Sequence, residues 1–472
     1  MARLSIALTG DTILQRRVST YDDPAFLAAL DVVRGATTGF TNVEGCIQTG
    51  EDWHALVAGN GRAATFIRTP PFVVDELAWM GFQLLSMANN HSADFGEGGV
   101  LTTLRHLSRR GDLVPAGLGA TLAEAAAPRY LDTAAGVVAL IAAADWGPRG
   151  IGDLPFPAPM GALAADADRY FKGRPGLNLL RYDCTFTVPE EQFAQLRHIS
   201  QQMGWDASKA MRRGGGGRAE PLSSPSPAFD EDECDGSLSF QGRRFVAGDG
   251  YTFTTDAYAG DIDRIVRAVA EARRQADWVV VSLHQQGAGR VRPEATDHTL
   301  ALGRAVAAAG ADVYVAHGAG RAGGIELTGS TAAVYGPGSF VMHLDQVKQL
   351  PLEMMRRLGF DYDDEAGEAL ARRHSNESVV GSEIGLKGVA LEAHANAIVV
   401  VELERGRAPE VVVHPIELTS ASEGRAASGM PRLLAAGSEK AASCLAVLDA
   451  RSRVFGTEVV ESGGVGRARA LA

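Results

Sequence analysis

Short apolar runs alternate along this chain with longer stretches in which apolar residues recur every three or four positions. The runs at 4–8, 82–86, 137–142, 278–283 and 313–315 read as strands, and 278–283 (Trp-Val-Val-Val-Ser-Leu) has the unbroken pattern of a fully buried one. The stretches 24–33, 97–110, 261–274 and 296–309 carry the spacing of helices that bury one face. Strand and helix follow one another through most of the sequence, which predicts an α/β sandwich rather than an all-α or all-β fold.

Two regions depart from this rhythm. Periodicity is weak over 150–250, where Arg212-Arg213 and a run of four glycines, Gly214–Gly217, precede a Ser- and Pro-rich segment. The tract 213–228 reads as a mobile loop in an irregular insert. Its arginines are able to meet an anionic substrate, but a solvated loop is the better account of them. Towards the C-terminus, apolar runs at 397–403 and 410–414 flank a turn at 405–409 and predict a β-hairpin.

Composition narrows the picture mainly by exclusion. A net charge of −12 and a pI near 5.5 argue against a nucleic-acid grip, which wants a basic face. The four cysteines, Cys46, Cys184, Cys234 and Cys444, have neither redox nor zinc-knuckle spacing. The apolar start is soon interrupted by Thr9-Gly10-Asp11, and no run reaches the ~18 apolar residues of a membrane span. The expectation is a cytoplasmic protein with a small-molecule or peptide-like substrate and no membrane or nucleic-acid partner; homo-oligomer formation stays open.

Five short motifs place polar, metal-compatible side chains at strand ends, where α/β sheets gather their ligands. Gly10-Asp11 follows the first strand, though a glycine–aspartate pair is also an ordinary turn. Alternation along Asn42-Val43-Glu44 sends the amide and the carboxylate to one side. Asn89-Asn90-His91-Ser92-Ala93-Asp94 lies between a strand and a helix, and so many polar groups are costly to bury without partners. An Asx-turn with Asp94 capping the helix is the competing reading. His284 and His317 each end an apolar strand and are followed by small residues, as an accessible ligand requires. Imidazole suits Zn, Fe or Mn, and carboxylate and amide oxygens harden such a site. No G-x-S-x-G elbow, Walker loop or H-E-x-x-H motif competes with this reading.

The order of these motifs resembles the CapA-type, or poly-γ-glutamate capsule biosynthesis (PGA_cap), family, whose fold is similar to that of the calcineurin-like metallophosphatases. The matching pieces are Thr9-Gly10-Asp11, Asn42-Val43-Glu44, Ala88–His91 with Asp94 and Gly96, His284 with Gly287, His317-Gly318 with Gly324-Ile325-Glu326, and Tyr335–Phe340. The resemblance implies two packed β-sheets flanked by helices in a metallophosphatase-like four-layer sandwich, with the C-terminal β-hairpin as an extension. It implies a catalytic domain over 1–375 that contains the irregular insert, and a strand-rich extension over 376–472 packed on it. It further implies that Asp11, Glu44, Asn90, His284 and His317 ligate one or two divalent ions (Mn, Zn or Fe), with Glu44 bridging if there are two. His91, steadied by Asp94, would be the acid–base residue. Three departures stand out: Gly320 replaces a second histidine, Ser339 replaces an asparagine, and the glutamate expected after Gly287 is missing. The expected activity is metal-dependent hydrolysis of an amide (γ-glutamyl or another small amide) or of a phosphoester. A non-catalytic accessory role in polymer synthesis and a specialised-metabolism enzyme acting on a new small molecule are the alternatives.

Overall fold

The structure, a computed structural model, describes residues 3–55, 66–146, 164–167, 169, 172–204, 236–240, 243–285, 295–347, 350, 352–357, 359–369, 395–420, 423–424 and 427–471. The tract at 213–228, Gly287 and Cys234 lie outside these. The run at 82–86 is the strand Phe82–Ser86, and the other apolar runs grow into Arg3–Ile13, Gly136–Trp146, Trp278–His284 and Val313–His317. Three of these strands outrun their apolar stretch at the C-terminal end because the polar residues there, Asp11, His284 and His317, are themselves buried.

Two large sheets result. In the first, Arg3–Ile13 lies between Thr38–Val43, its parallel neighbour, and Asn396–Glu404, which runs antiparallel to it. Phe82–Ser86 continues the sheet on one side, and Glu410–Leu418 closes the C-terminal hairpin on the other. That hairpin is therefore integral to the sheet that carries Asp11. In the second sheet Trp278–His284 pairs in parallel with both Gly136–Trp146 and Val313–His317.

The two sheets share one apolar core. Leu4, Ile6, Leu8, Phe40 and Leu84 of the first meet Val138, Leu140, Val280 and Val315 of the second. The helices Pro24–Gly35, Val73–Met80 and Gly96–Leu107 cover the other face of the first sheet. Ala259–Ala272 and Asp297–Ala308 cover that of the second. The molecule is thus layered helix, sheet, sheet, helix.

Local sequence explains these covers. Asp23 caps Pro24–Gly35 by accepting from the N–H groups of Ala25 and Phe26, Pro24 starts the helix, and Phe26, Ala29, Leu30 and Val33 form its buried face. Ala259–Ala272 buries Ile265, Ala268, Val269 and Ala272, one stripe at helical spacing. Near the C-terminus, Glu439–Arg453 contributes Leu445 and Leu448 to the core between the sheets. Its Ser452 hydroxyl accepts from the Ile325 N–H on the edge of the second sheet, at 3.0 Å.

The region expected to be irregular contains more order than its pattern shows. Leu179–Val188 is a strand of the second sheet, and Glu190–Gln202 is a helix. The helix buries only Phe193 and Ser200, and the outer half of the strand is part-exposed, so neither leaves a clear apolar periodicity. Cys46, Cys184 and Cys444 are buried free thiols. Among the described residues no helix is long and apolar enough to cross a membrane.

Candidate metal centre

The two sheets bring their polar strand ends together. His284 and His317 are register partners on adjacent parallel strands, so their imidazoles emerge on the same face of the second sheet. Asp11 arrives from the first sheet, where a register shift between Leu8 and Asp11 interrupts the pairing with Thr38–Val43. Gly10 permits the close approach this needs, since a Cβ there would stand 1.6 Å from the carbonyl oxygen of Gly338. Gly318 has φ +95° and faces His284 so closely that a Cβ would lie 2.7 Å from Nε2 of that ring.

One carboxylate oxygen of Asp11 and the two Nδ1 atoms form a tight triangle. His284 Nδ1 and His317 Nδ1 are 3.2 Å apart, and Asp11 Oδ1 is 3.6 Å from the second and 4.0 Å from the first. Ligand atoms bound to one ion at ~2.1 Å stand about 3–3.5 Å from each other, close to this spacing. All three residues are buried.

The surrounding hydrogen bonds define which nitrogens carry lone pairs. Asn89 Nδ2 donates to Asn42 Oδ1 at 3.1 Å and to the Val43 carbonyl at 2.8 Å, which fixes both amides. Asn42 Nδ2 therefore points its hydrogens at Asp11 Oδ1 (2.9 Å) and His284 Nδ1 (3.3 Å). His317 Nε2 meets the Ser282 hydroxyl at 2.7 Å, and with its proton there its Nδ1 is left basic. Two imidazole nitrogens and a carboxylate thus converge, with Asn42 Nδ2 donating to two of them, an arrangement that a cation or a proton among them would further stabilise. Among the described residues, His284 Nε2 is buried without a hydrogen-bond partner.

The pKa directions follow from the same crowding. Burial opposes ionisation of Asp11, but His317, His284 and Asn42 overcome it and hold the carboxyl below its usual range. Burial lowers His284 from 6.5 to about 3; His317 and His91 add to this and Asp11 works against it. Glu44 is pushed up to about 8 by burial first and then by the negative charges of Asp11 and Asp94. Among the described residues, neither Asp11 nor Glu44 has a lysine or arginine partner; their ion-pair contacts are to histidines.

Beside the triangle lies the Asn-Asn-His loop. His91 Nδ1 meets Asp94 Oδ2 at 2.7 Å, and since the carboxylate only accepts, that nitrogen carries the proton and Nε2 is the basic one. His91 Nε2 is 3.6 Å from Glu44 Oε1. The Asp94 carboxylate also accepts from the Ile67 N–H at 2.8 Å. It does not cap the next helix, which starts at Gly96 with Phe95 at its cap and no side-chain capping bond. Cys46 Sγ donates towards the carbonyls of His91 and Ser92, fastening the loop from below. Among the described residues, both polar atoms of the Asn90 side chain are buried without a hydrogen-bond partner.

The structure brings three of the five ligand candidates together and leaves Glu44 and Asn90 beside His91. Asp11, His284 and His317 form the triangle, His91, Asp94 and Glu44 form a neighbouring acid–imidazole group, and Asn90 adjoins His91. Asn42 and Asn89, which orient the others, lie in motifs that the sequence singles out without giving either residue a role of its own, and Ser282 carries no sequence signal beyond its apolar strand. Gly320 and Ser339 are neighbours, with a Cβ at Gly320 falling 4.0 Å from Ser339 Oγ and Ser339 paired in register with Asp11. Glu326 instead accepts from the Tyr335 hydroxyl at 2.5 Å.

A two-sheet α/β protein with a buried carboxylate–imidazole cluster at the sheet junction is the class these features define. The family model described as "Bacterial capsule synthesis protein PGA_cap" matches residues 5–160 and 188–344, and the chain belongs to that family. It is also similar, at 28% identity over 469 residues, to "Uncharacterized protein y4sH" and "Uncharacterized protein y4uA", both from Sinorhizobium fredii (strain NBRC 101917 / NGR234). Each alignment covers 98% of this chain and 93% of the relative.

Proposed function

We propose that this protein is a metal-dependent hydrolase, of the metallophosphatase-like kind, that cleaves an amide bond in a small-molecule or peptide-like substrate. The observation that carries the reading is the triangle of Asp11 Oδ1 and the two Nδ1 atoms, with mutual distances of 3.2, 3.6 and 4.0 Å. The donor set, two imidazoles and a carboxylate with the Glu44 carboxylate and the orphaned Asn90 amide near by, suits Mn, Fe or Zn.

A divalent ion bound there supplies Lewis acidity and lowers the pKa of a water from about 15.7 towards ~7. The chain's own residues do the rest. Asp11, His284 and His317 hold the ion, with Asn42 and Ser282 fixing their orientation. Asp94 holds the proton on His91 Nδ1, so that His91 exchanges protons with substrate at Nε2. Glu44 and Asn90 complete the ligand set. A γ-glutamyl or other small amide is favoured over a phosphoester by the capsule-synthesis name of the family.

Metal analysis of the purified chain tests the centre. Bound metal is expected at about one equivalent and is expected to disappear in Asp11→Ala and His284→Ala; full retention in both would falsify the assignment. A paired screen of γ-glutamyl amides and phosphoesters tests the reaction, and turnover confined to phosphoesters removes the amide reading. His91→Ala is expected to lower kcat by about 10²–10⁴-fold while leaving metal content intact.

A further inference from the structure

Gln285, immediately after the ligand His284, is 2% exposed and uses its backbone and both ends of its side chain. Its N–H donates to the carbonyl of His317 at 2.7 Å. Its Nε2 donates to the carbonyl of Tyr335 at 3.3 Å. Tyr335 opens the short run whose Gly338 carbonyl accepts from the Asp11 N–H at 3.3 Å. A single residue therefore touches, directly or through one short segment, the chain next to all three donors.

The oxygen of the same carboxamide is held from the other side. Gln285 Oε1 accepts from Thr299 Oγ1 at 2.8 Å and from Thr296 Oγ1 at 3.5 Å, at the start of helix Asp297–Ala308. The two threonine hydroxyls are 2.7 Å apart, and Thr296 Oγ1 lies 3.1 Å from Nδ1 of His298. His298 is fully buried, stacks on Tyr182 with ring centroids 3.9 Å apart, and reaches Asp145 Oδ2 at 3.2 Å. Asp145 follows Ala144, the register partner of His284, so the network returns to the strand beside the one it left.

We propose that Gln285, clamped by Thr299, is a positioning residue that sets the spacing of the metal-binding triangle. The inference rests on the metal reading above and names what holds its geometry. A ligand constellation must be kept within about 0.5 Å of its working geometry, and Gln285 ties the main chain next to His284 to that of His317. Losing the Thr299 hydroxyl leaves the buried carboxamide oxygen only the 3.5 Å contact with Thr296 and loosens the side chain next to His284.

The test uses the full chain, loaded with Co²⁺ or Mn²⁺. Affinity is measured by chelator competition, and the Co²⁺ absorption spectrum reports coordination. Thr299→Val, which keeps the shape and deletes the hydroxyl, and Gln285→Ala are expected to weaken binding by about 10–100-fold, while Thr299→Ser retains wild-type affinity. The Co²⁺ spectrum is expected to change in the first two and not in the third. Leu448→Ala, which destabilises the core but removes no member of this hydrogen-bond network, is expected to leave affinity unchanged; an equal loss there assigns the effect to stability and overturns the proposal. Folded Thr299→Val with wild-type affinity and spectrum also overturns it. Equal metal uptake by wild type and His284→Ala is a separate result, which sinks the metal reading and this inference with it.

Discussion

Asn42 holds two of the three donor residues at once, with one hydrogen towards Asp11 and the other towards His284. A second histidine, His343, shows a different use of burial. Its Nδ1 accepts from the Gln15 N–H at 3.3 Å, its Nε2 lies 3.2 Å from the Met430 sulfur, and burial, aided by Arg16, lowers its pKa from 6.5 to about 3. The folded chain thus binds fewer protons at this site than the unfolded chain between those values. The stability it contributes is fully present above pH 6.5 and is lost as pH falls towards about 3. Urea titrations from pH 7 downwards are expected to show a shallower acid loss in His343→Gln than in wild type; identical slopes would rule this out. Single residues were legible in the sequence where a polar group ended an apolar run, as with His284 and His317. Asn42 and Gln285 were not, because an amide declares its role only through partners far away in the chain.

At the scale of the element, the parallel pairing of Trp278–His284 with Val313–His317 makes the two imidazoles neighbours, and Gly318 keeps the turn after them clear. Gly318→Ala combines a strained positive φ with a Cβ 2.7 Å from the His284 ring and the Gln285 carbonyl. The expected result is a folded protein with metal affinity reduced by at least about 10-fold, read by chelator competition; wild-type affinity would show that the ring has room to move. Elements buried on both faces were legible almost to the residue, as with Trp278–His284, because a nearly continuous apolar run has few other homes. Glu190–Gln202 and Leu179–Val188 were missed because exposed faces dilute periodicity.

For the whole molecule, Glu439–Arg453 closes the space between the sheets with Leu448, which is 0% exposed. Leu448→Ala is expected to cost about 2–5 kcal/mol in chemical denaturation. A change near zero would mean that this core collapses freely around the cavity. The sequence made the alternation of the α/β fold visible. It did not reveal that the C-terminal hairpin lies beside the first strand, since Val399 and Leu8 pair across almost the full length of the chain.

That pairing also gives the protein a timetable. Asp11 is made early, its companions His284 and His317 follow about 300 residues later, and the strand that flanks Asp11 from 396 onwards comes later still. At ~5–20 residues per second the ribosome takes roughly 15–60 s to cover that interval. Throughout it, the first strand lacks two of its partners, Ser339–Met342 and Asn396–Glu404, and Leu4, Ile6 and Leu8 lack Val280 and Val315 of the core they later share. The triangle of Asp11, His284 and His317 can therefore form only after the strands Trp278–His284 and Val313–His317 have been made.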